Sequence, residues 1–381
     1  RSMRLKAVLS LAAAVLAAPA FAQTVATPAP PSIAAASFVL IDHQTGDVLA
    51  ARDPDLRLPP ASITKVMTLY IAFDEISKGH SSLDDQVLIS EKAWRAQGSR
   101  SFIEVGNRVR LEDLLHGIIV QSGNDASIAV AEHIAGDESV FAQLMNKHAA
   151  RLGMANTHYT NASGLPDDAM MTSAHDIALL SQALIRDFPD FYAWFKEREF
   201  VYNGIRQPNR NRLLFEDSTV DGIKTGHTEA AGYCLAASAI RDGRRLISVV
   251  MGTDSTRART QASKALLEYG FRFCDTAQLL GPTKPVTHAR VYGGALNEVP
   301  VGTLEPLAIT LGRDGAQRIE TASTVNAPLK APLAVGQVVG EVTVSLDGET
   351  LRSAPLVALS EVERGSLWKR FIDWIRLLIA G

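Results

Sequence analysis

The stretch "LPPASITKVMTLY", residues 58–70, sets the tightest limit on what this chain can fold into. After two prolines, Ile63, Val66, Met67, Leu69, Tyr70 and Ala72 fall on several sides of a helix, which predicts a buried helix starting near Ala61. A helix that is apolar nearly all round lies inside a domain, so the surrounding chain must be large enough to cover it. Ser62 stands three residues before Lys65 in this run. That spacing puts two side chains on one helix face, about 5–6 Å apart at Cβ. A lysine one turn into a buried helix is costly unless it has a partner or a task.

The rest of the chain can supply that cover. Its 381 residues are 46% hydrophobic and 21% charged, which suits two globular domains with a large core. The net charge of −3 gives no electrostatic footprint for nucleic acid, and none is expected as a partner. At the N-terminus Arg1, Arg4 and Lys6 precede "AVLSLAAAVLAA" and then "APAFAQ". That is the order of a secretory signal peptide over residues 1–22, cleaved after Ala22, and its apolar part falls well short of the ~20 residues that span a bilayer. Residues 23–35 read as a Pro/Ala-rich linker. Cys234 and Cys274 both lie in apolar surroundings, where a free cysteine behaves as a small hydrophobe, and are expected to be unpaired.

Residues 36–284 read as α+β. "SFVLIDHQTGDVLAARD" alternates around a turn, as a hairpin does. Helices are expected at "LEDLLHGIIV" and "DASIAVAEHIAG", separated by a tight break at "QSGN", and again at "ESVFAQLMNKHAARLG" and "SAHDIALLSQALIRDF". "VDGIKTGH" and "AGYCLAASAIRDGRRLISVVMG" suggest antiparallel strands turning at Asp242-Gly243, covered by the helix "TRARTQASKALLEYGFRF". From residue 285 to 364 the chain is rich in Val, Thr, Gly and Pro in short alternating runs, which predicts a small all-β domain. Residues 365–381 form an amphipathic helix, with Leu367, Phe371, Trp374, Ile375 and Leu378 on one side and Lys369, Arg370, Asp373 and Arg376 on the other. It is too short and too charged to cross a membrane. It is expected to lie on one through residues 366–381.

Ser-x-x-Lys alone says little, and the chain carries a second copy at Ser366 and Lys369 in "SLWK". Context separates Ser62: "SGN" at Ser122–Asn124 follows about 60 residues later, and "KTG" at Lys224–Gly226 about 100 after that. A serine hydroxyl is a weak nucleophile until a base takes its proton. Lys65 can be that base only if burial or a second cation lowers its pKa, and Lys224 is a candidate for the second charge.

"SITK", "SGN" and "KTG" in this order resemble the three active-site motifs of the penicillin-binding protein and serine β-lactamase superfamily. "DGIKTGHTEAAGYCLAAS", "NASGLPD" and "QPNRNRLL" are more similar still to the low-molecular-mass D-alanyl-D-alanine carboxypeptidases of the penicillin-binding protein 5 and 6 type. The resemblance implies a DD-peptidase fold that removes the terminal D-alanine from peptidoglycan stem peptides, is acylated by β-lactams, needs no cofactor or metal, and works at the periplasmic face of the inner membrane. It implies that Ser62 is the acylated nucleophile and Lys65 its base. Ser122 would relay a proton to the leaving amine, and Asn124 would hold the substrate amide and Lys65. Lys224 would add positive charge and Thr225, beside Gly226, would bind the substrate carboxylate. Backbone N–H groups of Ser62 and His227 would form the oxyanion hole, and Arg210 or Arg259 would meet the carboxylate.

Three rivals share parts of this pattern. A class A β-lactamase would need a glutamate in the loop "NASGLPDDAMM", which has none. A D,D-endopeptidase of peptidoglycan crosslinks resembles the superfamily too but usually lacks the β domain. A catalytically silent peptidoglycan-binding scaffold would not need the full set of motif residues. Asp167, Asp168 and Asp176 read as loop and cap residues rather than as a paired-carboxylate site.

Overall fold

The computed structural model describes residues 27–380. The expected signal peptide, 1–22, and the start of the linker lie outside the described residues. The N-terminal domain is organised by a five-stranded antiparallel sheet with strands β1 (Ser37–Asp42), β2 (Val48–Arg52), β3 (Val220–Thr228), β4 (Gly232–Arg241) and β5 (Arg244–Thr253), in the order β2-β1-β5-β4-β3. Both faces of this sheet are covered, so its strands read as nearly continuous apolar runs. Phe38 and Leu40 of β1, Leu235 and Ala237 of β4 and Leu246 and Val250 of β5 face one core. Val39, Ile41, Ala236, Ile247 and Val249 face the other. Asp242 and Gly243 both take positive φ, 50° and 78°, the backbone of a type I′ hairpin that matches the strand twist.

Helix α1 (Lys65–Ser77) follows a single tight turn, Ala61–Thr64, and every residue from Lys65 to Phe73 is buried. This is the buried helix that the sequence predicts. Around it pack α2 (Asn124–Ala135) and α3 (Ala174–Asp187), with the helix Glu138–Arg151 beside them. The break at "QSGN" is sharper than a loop. The helix Leu111–His116 runs into a π-helical turn, Gly117–Gln121, which ends at Ser122 in left-handed backbone, φ 66° and ψ 37°. Such π turns are frequent at functional sites. Helix α4 (Thr256–Phe273), capped by the Ser255 side chain, covers the other face of the sheet.

Strand Cys274–Leu280 leaves α4 directly and pairs with Leu307–Gly312, so hydrogen bonding ties it to the C-terminal strands although it precedes the change in composition near residue 285. Six further strands make the C-terminal sheet around Val291, Val299, Val301, Val342, Val344 and Leu356. The two domains meet through polar groups. The Thr310 N–H donates to the Asp47 carboxylate at 2.7 Å, Thr276 donates to Asp42 at 2.9 Å, and Arg352 pairs with Asp47. Cys234 and Cys274 are free and buried.

The last helix, α5 (Leu367–Ala380), docks by its polar side. Asp373 is buried, accepts the Gly293 N–H at 2.9 Å and pairs with Arg376, while Lys369 reaches Asn297. Its apolar side faces outward, with Leu367 81%, Trp368 71% and Ile379 80% exposed. Among the described residues no helix is long and apolar enough to cross a membrane.

Candidate active site

Three elements bring the motif residues together. The turn Ala61–Thr64 presents Ser62, and Lys65 follows as the first residue of α1. The π turn and its left-handed end present Ser122, and Asn124 opens α2. Edge strand β3 carries Lys224, Thr225, Gly226 and His227 past the Ser62 turn. The approach is close enough to require glycine: a Cβ on Gly226 would stand 3.2 Å from both the Pro60 carbonyl oxygen and Ile63, and 3.3 Å from Ala61.

Lys65 is fully buried. Its Nζ lies 2.9 Å from Ser62 Oγ and 2.7 Å from Asn124 Oδ1, and it also meets the Ser163 carbonyl. An ammonium would donate to all three oxygens. A neutral amine has two N–H bonds and one lone pair, so the amide and carbonyl oxygens take the two protons and the lone pair points at Ser62. No carboxylate pairs with Lys65 among the described residues. Burial pulls its pKa down to about 7, helped by the charge of Arg210 and opposed by Asp125. Arg210 is a second cation acting on Lys65, and Lys65 and Lys224 also repel one another. Lys224, itself buried, is held well below its ordinary value by burial first, then by Lys65, Arg210 and Arg259.

Ser122 is 3% exposed, and its Oγ has no hydrogen-bond partner among the described residues. A buried hydroxyl left unpaired costs stability and points to a task. Arg210 donates its Nε–H to the Gln121 carbonyl at 2.9 Å, which ties it to the Ser122 turn. Arg259, from α4, lies beneath β3, donates to the Gly226 carbonyl at 2.9 Å and sits over the Tyr233 ring. Burial lowers its pKa to about 10. Neither arginine has an acidic partner among the described residues, so neither is a surface salt bridge. His227 is exposed, and its ring stacks on Tyr233 with the centroids 3.9 Å apart.

Several supports were not picked out from the sequence. Asp125 is buried and accepts the Ser101 N–H at 2.8 and 3.0 Å, which fixes the loop over Asn124. The loop "NASGLPD" supplies the Ser163 carbonyl. Asn161 Oδ1 accepts the N–H groups of Ser163 and Gly164, and a Cβ on Gly164 (φ 82°) would overlap the Ala61 carbonyl. Glu138 accepts the Ala162 N–H at 3.1 Å and pairs with Lys92. Asp125 could have been found by its place right after the motif, whereas nothing near Glu138 marks it. Asp176 is structural, accepting from Asn156 and Thr157. No group of three or more His, Cys, Asp or Glu able to hold a metal occurs among the described residues.

The site thus sets a serine beside a buried lysine of lowered pKa, with arginines nearby that have no acidic partner among the described residues, an arrangement compatible with acyl transfer to the serine. Comparison with known proteins narrows this class. Residues 23–255 match the family model described as D-alanyl-D-alanine carboxypeptidase, and residues 275–364 match the penicillin-binding protein 5 C-terminal domain. The D-alanyl-D-alanine carboxypeptidase DacA of Escherichia coli (strain K12) is 41% identical over 359 residues, 92% of this chain and 89% of that protein. The crystal structure of penicillin binding protein 5 from Haemophilus influenzae gives a TM-score of 0.85 at 40% identity, covering 88% of this chain and all of that one. Penicillin-Binding Protein D2 from Listeria monocytogenes, solved in an ampicillin-bound form, is 27% identical over 63% of this chain, with a TM-score of 0.59. The chain belongs to the D-alanyl-D-alanine carboxypeptidase family, and it is a serine-type hydrolase of that kind.

Proposed function

We propose that Ser62 is the residue acylated when this carboxypeptidase removes the terminal D-alanine from peptidoglycan stem pentapeptides. The observation that carries the assignment is the 2.9 Å contact between Ser62 Oγ and a buried Lys65 Nζ that lacks an acidic partner among the described residues. Neutral Lys65 takes the Ser62 proton as Oγ attacks the penultimate D-alanine carbonyl. The C–N bond breaks, D-alanine leaves with a proton relayed through Ser122, and water activated by Lys65 hydrolyses the ester. Backbone N–H groups of Ser62 and His227 hold the oxyanion, a kind of contact worth about 3–4 kcal/mol per donor. Lys224, Thr225, Arg210 and Arg259 receive the substrate carboxylate, and Asn124 orients the peptide amide.

A β-lactam presents the same acyl centre and carboxylate, so it acylates Ser62. The loop Asn161–Met171 carries no glutamate to activate water, and the adduct persists. The outward apolar face of α5 supports attachment to a membrane surface, and with the signal-like N-terminus it argues for the periplasmic face of the inner membrane.

The test is D-alanine release from a soluble peptide ending in Lys-D-Ala-D-Ala, with intact mass of the protein after penicillin. Wild type releases D-alanine and keeps a penicillin mass shift, and Ser62→Ala does neither. Release or adduct formation that survives in Ser62→Ala would refute the assignment.

A further inference from the structure

Between α5 and the C-terminal sheet runs a groove made of two cavities, about 450 and 460 Å³, both lined by Tyr292 and Leu377. Lys330 and Arg370 line the first cavity and Arg290 the second. None of these three cations has a carboxylate within 4.0 Å, and none donates a side-chain hydrogen bond, among the described residues. The carboxylate in the groove, Asp373, is already committed to the Gly293 N–H and to Arg376. Arg290 sits over the Tyr292 ring at 5.1 Å, so its charge is held at the groove wall. The opposite wall is apolar. Phe371 and Trp374 line the first cavity while remaining 50% and 57% exposed, which makes that wall continuous with the outward face of α5.

We propose that this groove holds one anionic phospholipid, with its phosphate on Lys330, Arg370 and Arg290 and an acyl chain along Tyr292, Leu377 and Trp374. The proposal rests on the membrane reading of α5 and goes beyond it: the apolar face accounts for partition into any bilayer, whereas the groove selects a headgroup. Charge complementarity fixes the sign, because cations without acidic partners near a bilayer attract anionic lipid. A choline headgroup would bring its own cation against them. A free phosphate would satisfy the cations and leave the aromatic wall uncovered.

The test uses the full chain and dihexanoyl-phosphatidylglycerol below its micelle concentration, followed by titration calorimetry. One lipid binds per chain, dihexanoyl-phosphatidylcholine binds at least about tenfold more weakly, and Lys330→Glu and Arg290→Glu each weaken the anionic lipid about fivefold. Both residues are exposed and far from the catalytic motifs in sequence, so D-alanine release from a soluble peptide stays at the wild-type rate. Equal binding of the two lipids, or binding unmoved by either charge reversal, overturns the proposal. So does glycerol 3-phosphate competing as strongly as the lipid, which would make this a site for a free phosphate. Sedimentation with neutral phosphatidylcholine vesicles tests the anchor separately. Loss on deleting residues 366–381, with Lys330→Glu still sedimenting, supports the anchor. Sedimentation that survives the deletion overturns the anchor alone.

Discussion

The chain contains the same four-residue pattern twice, and the two copies have different environments. At Ser62–Lys65 the lysine is fully buried, contacts the serine oxygen at 2.9 Å and has no carboxylate within 4.0 Å among the described residues. At Ser366–Lys369 the lysine side chain is 28% exposed, its Nζ reaches Asn297 and lies 3.9 Å from Asp373, and the serine hydroxyl accepts the Lys369 backbone N–H. The second pair is a helix start with a tethered surface cation. The difference lies in what surrounds the pattern: full burial with three oxygens around the amine at Lys65, partial exposure beside a carboxylate at Lys369.

Replacing each lysine by arginine should separate the two copies most strongly. Arginine keeps the positive charge but does not give up its proton near neutral pH. Lys65→Arg should lower the rate of Ser62 acylation by penicillin about a thousandfold, the usual scale for losing a positioned base. Lys369→Arg should leave that rate unchanged. The check is time-resolved intact mass under excess penicillin. A loss of less than about tenfold at Lys65 would break the comparison, because the buried lysine would then be a spectator like the partly exposed one.

A second substitution sharpens what burial means. Ser122 Oγ is buried without a partner, so Ser122→Ala removes a polar atom that contributes no hydrogen bond to the folded state. Thermal unfolding should move by no more than about 3 °C. D-alanine release should fall about a hundredfold, since the hydroxyl's proposed task is to carry the proton to the leaving amine. A large drop in Tm would show that the hydroxyl has a structural partner. Wild-type release would remove it from the mechanism.

Much of this was readable from the chain, for identifiable physical reasons. The sheet and its helices showed because each apolar period is long and the Asp242-Gly243 turn permits little else. Ser62, Ser122 and Lys224 showed because their motifs are local, while their meeting in space depends on β3 running along the Ser62 turn, a contact between residues more than 150 positions apart. The Ser163 carbonyl could not be read at all, since a backbone oxygen leaves no trace in residue identity. Glu138 acts through the Ala162 N–H from a distant helix, and its side chain looks like any surface acid in the sequence. The docking of α5 was only half legible. Its two faces were visible in the spacing, but the inward turn of the polar one depends on Gly293 meeting Asp373.

The smallest effect concerns how Lys65 is kept ready. With its pKa near 7, the neutral fraction and the acylation rate should rise with pH through that value and level off above it. Arg210 lowers this pKa by charge, so Arg210→Gln should let Lys65 keep its proton to higher pH and move the rising limb upward. At pH 7 the rate should then fall a few-fold, and the loss should shrink as the pH rises and both enzymes become deprotonated. Arg210 is also proposed to meet the substrate carboxylate, which would lower the high-pH plateau and raise KM without moving the limb. A pH series of penicillin acylation rates separates the two effects. A limb that stays in place in Arg210→Gln would mean that desolvation alone tunes Lys65, and the difference from Lys369 would then reduce to burial.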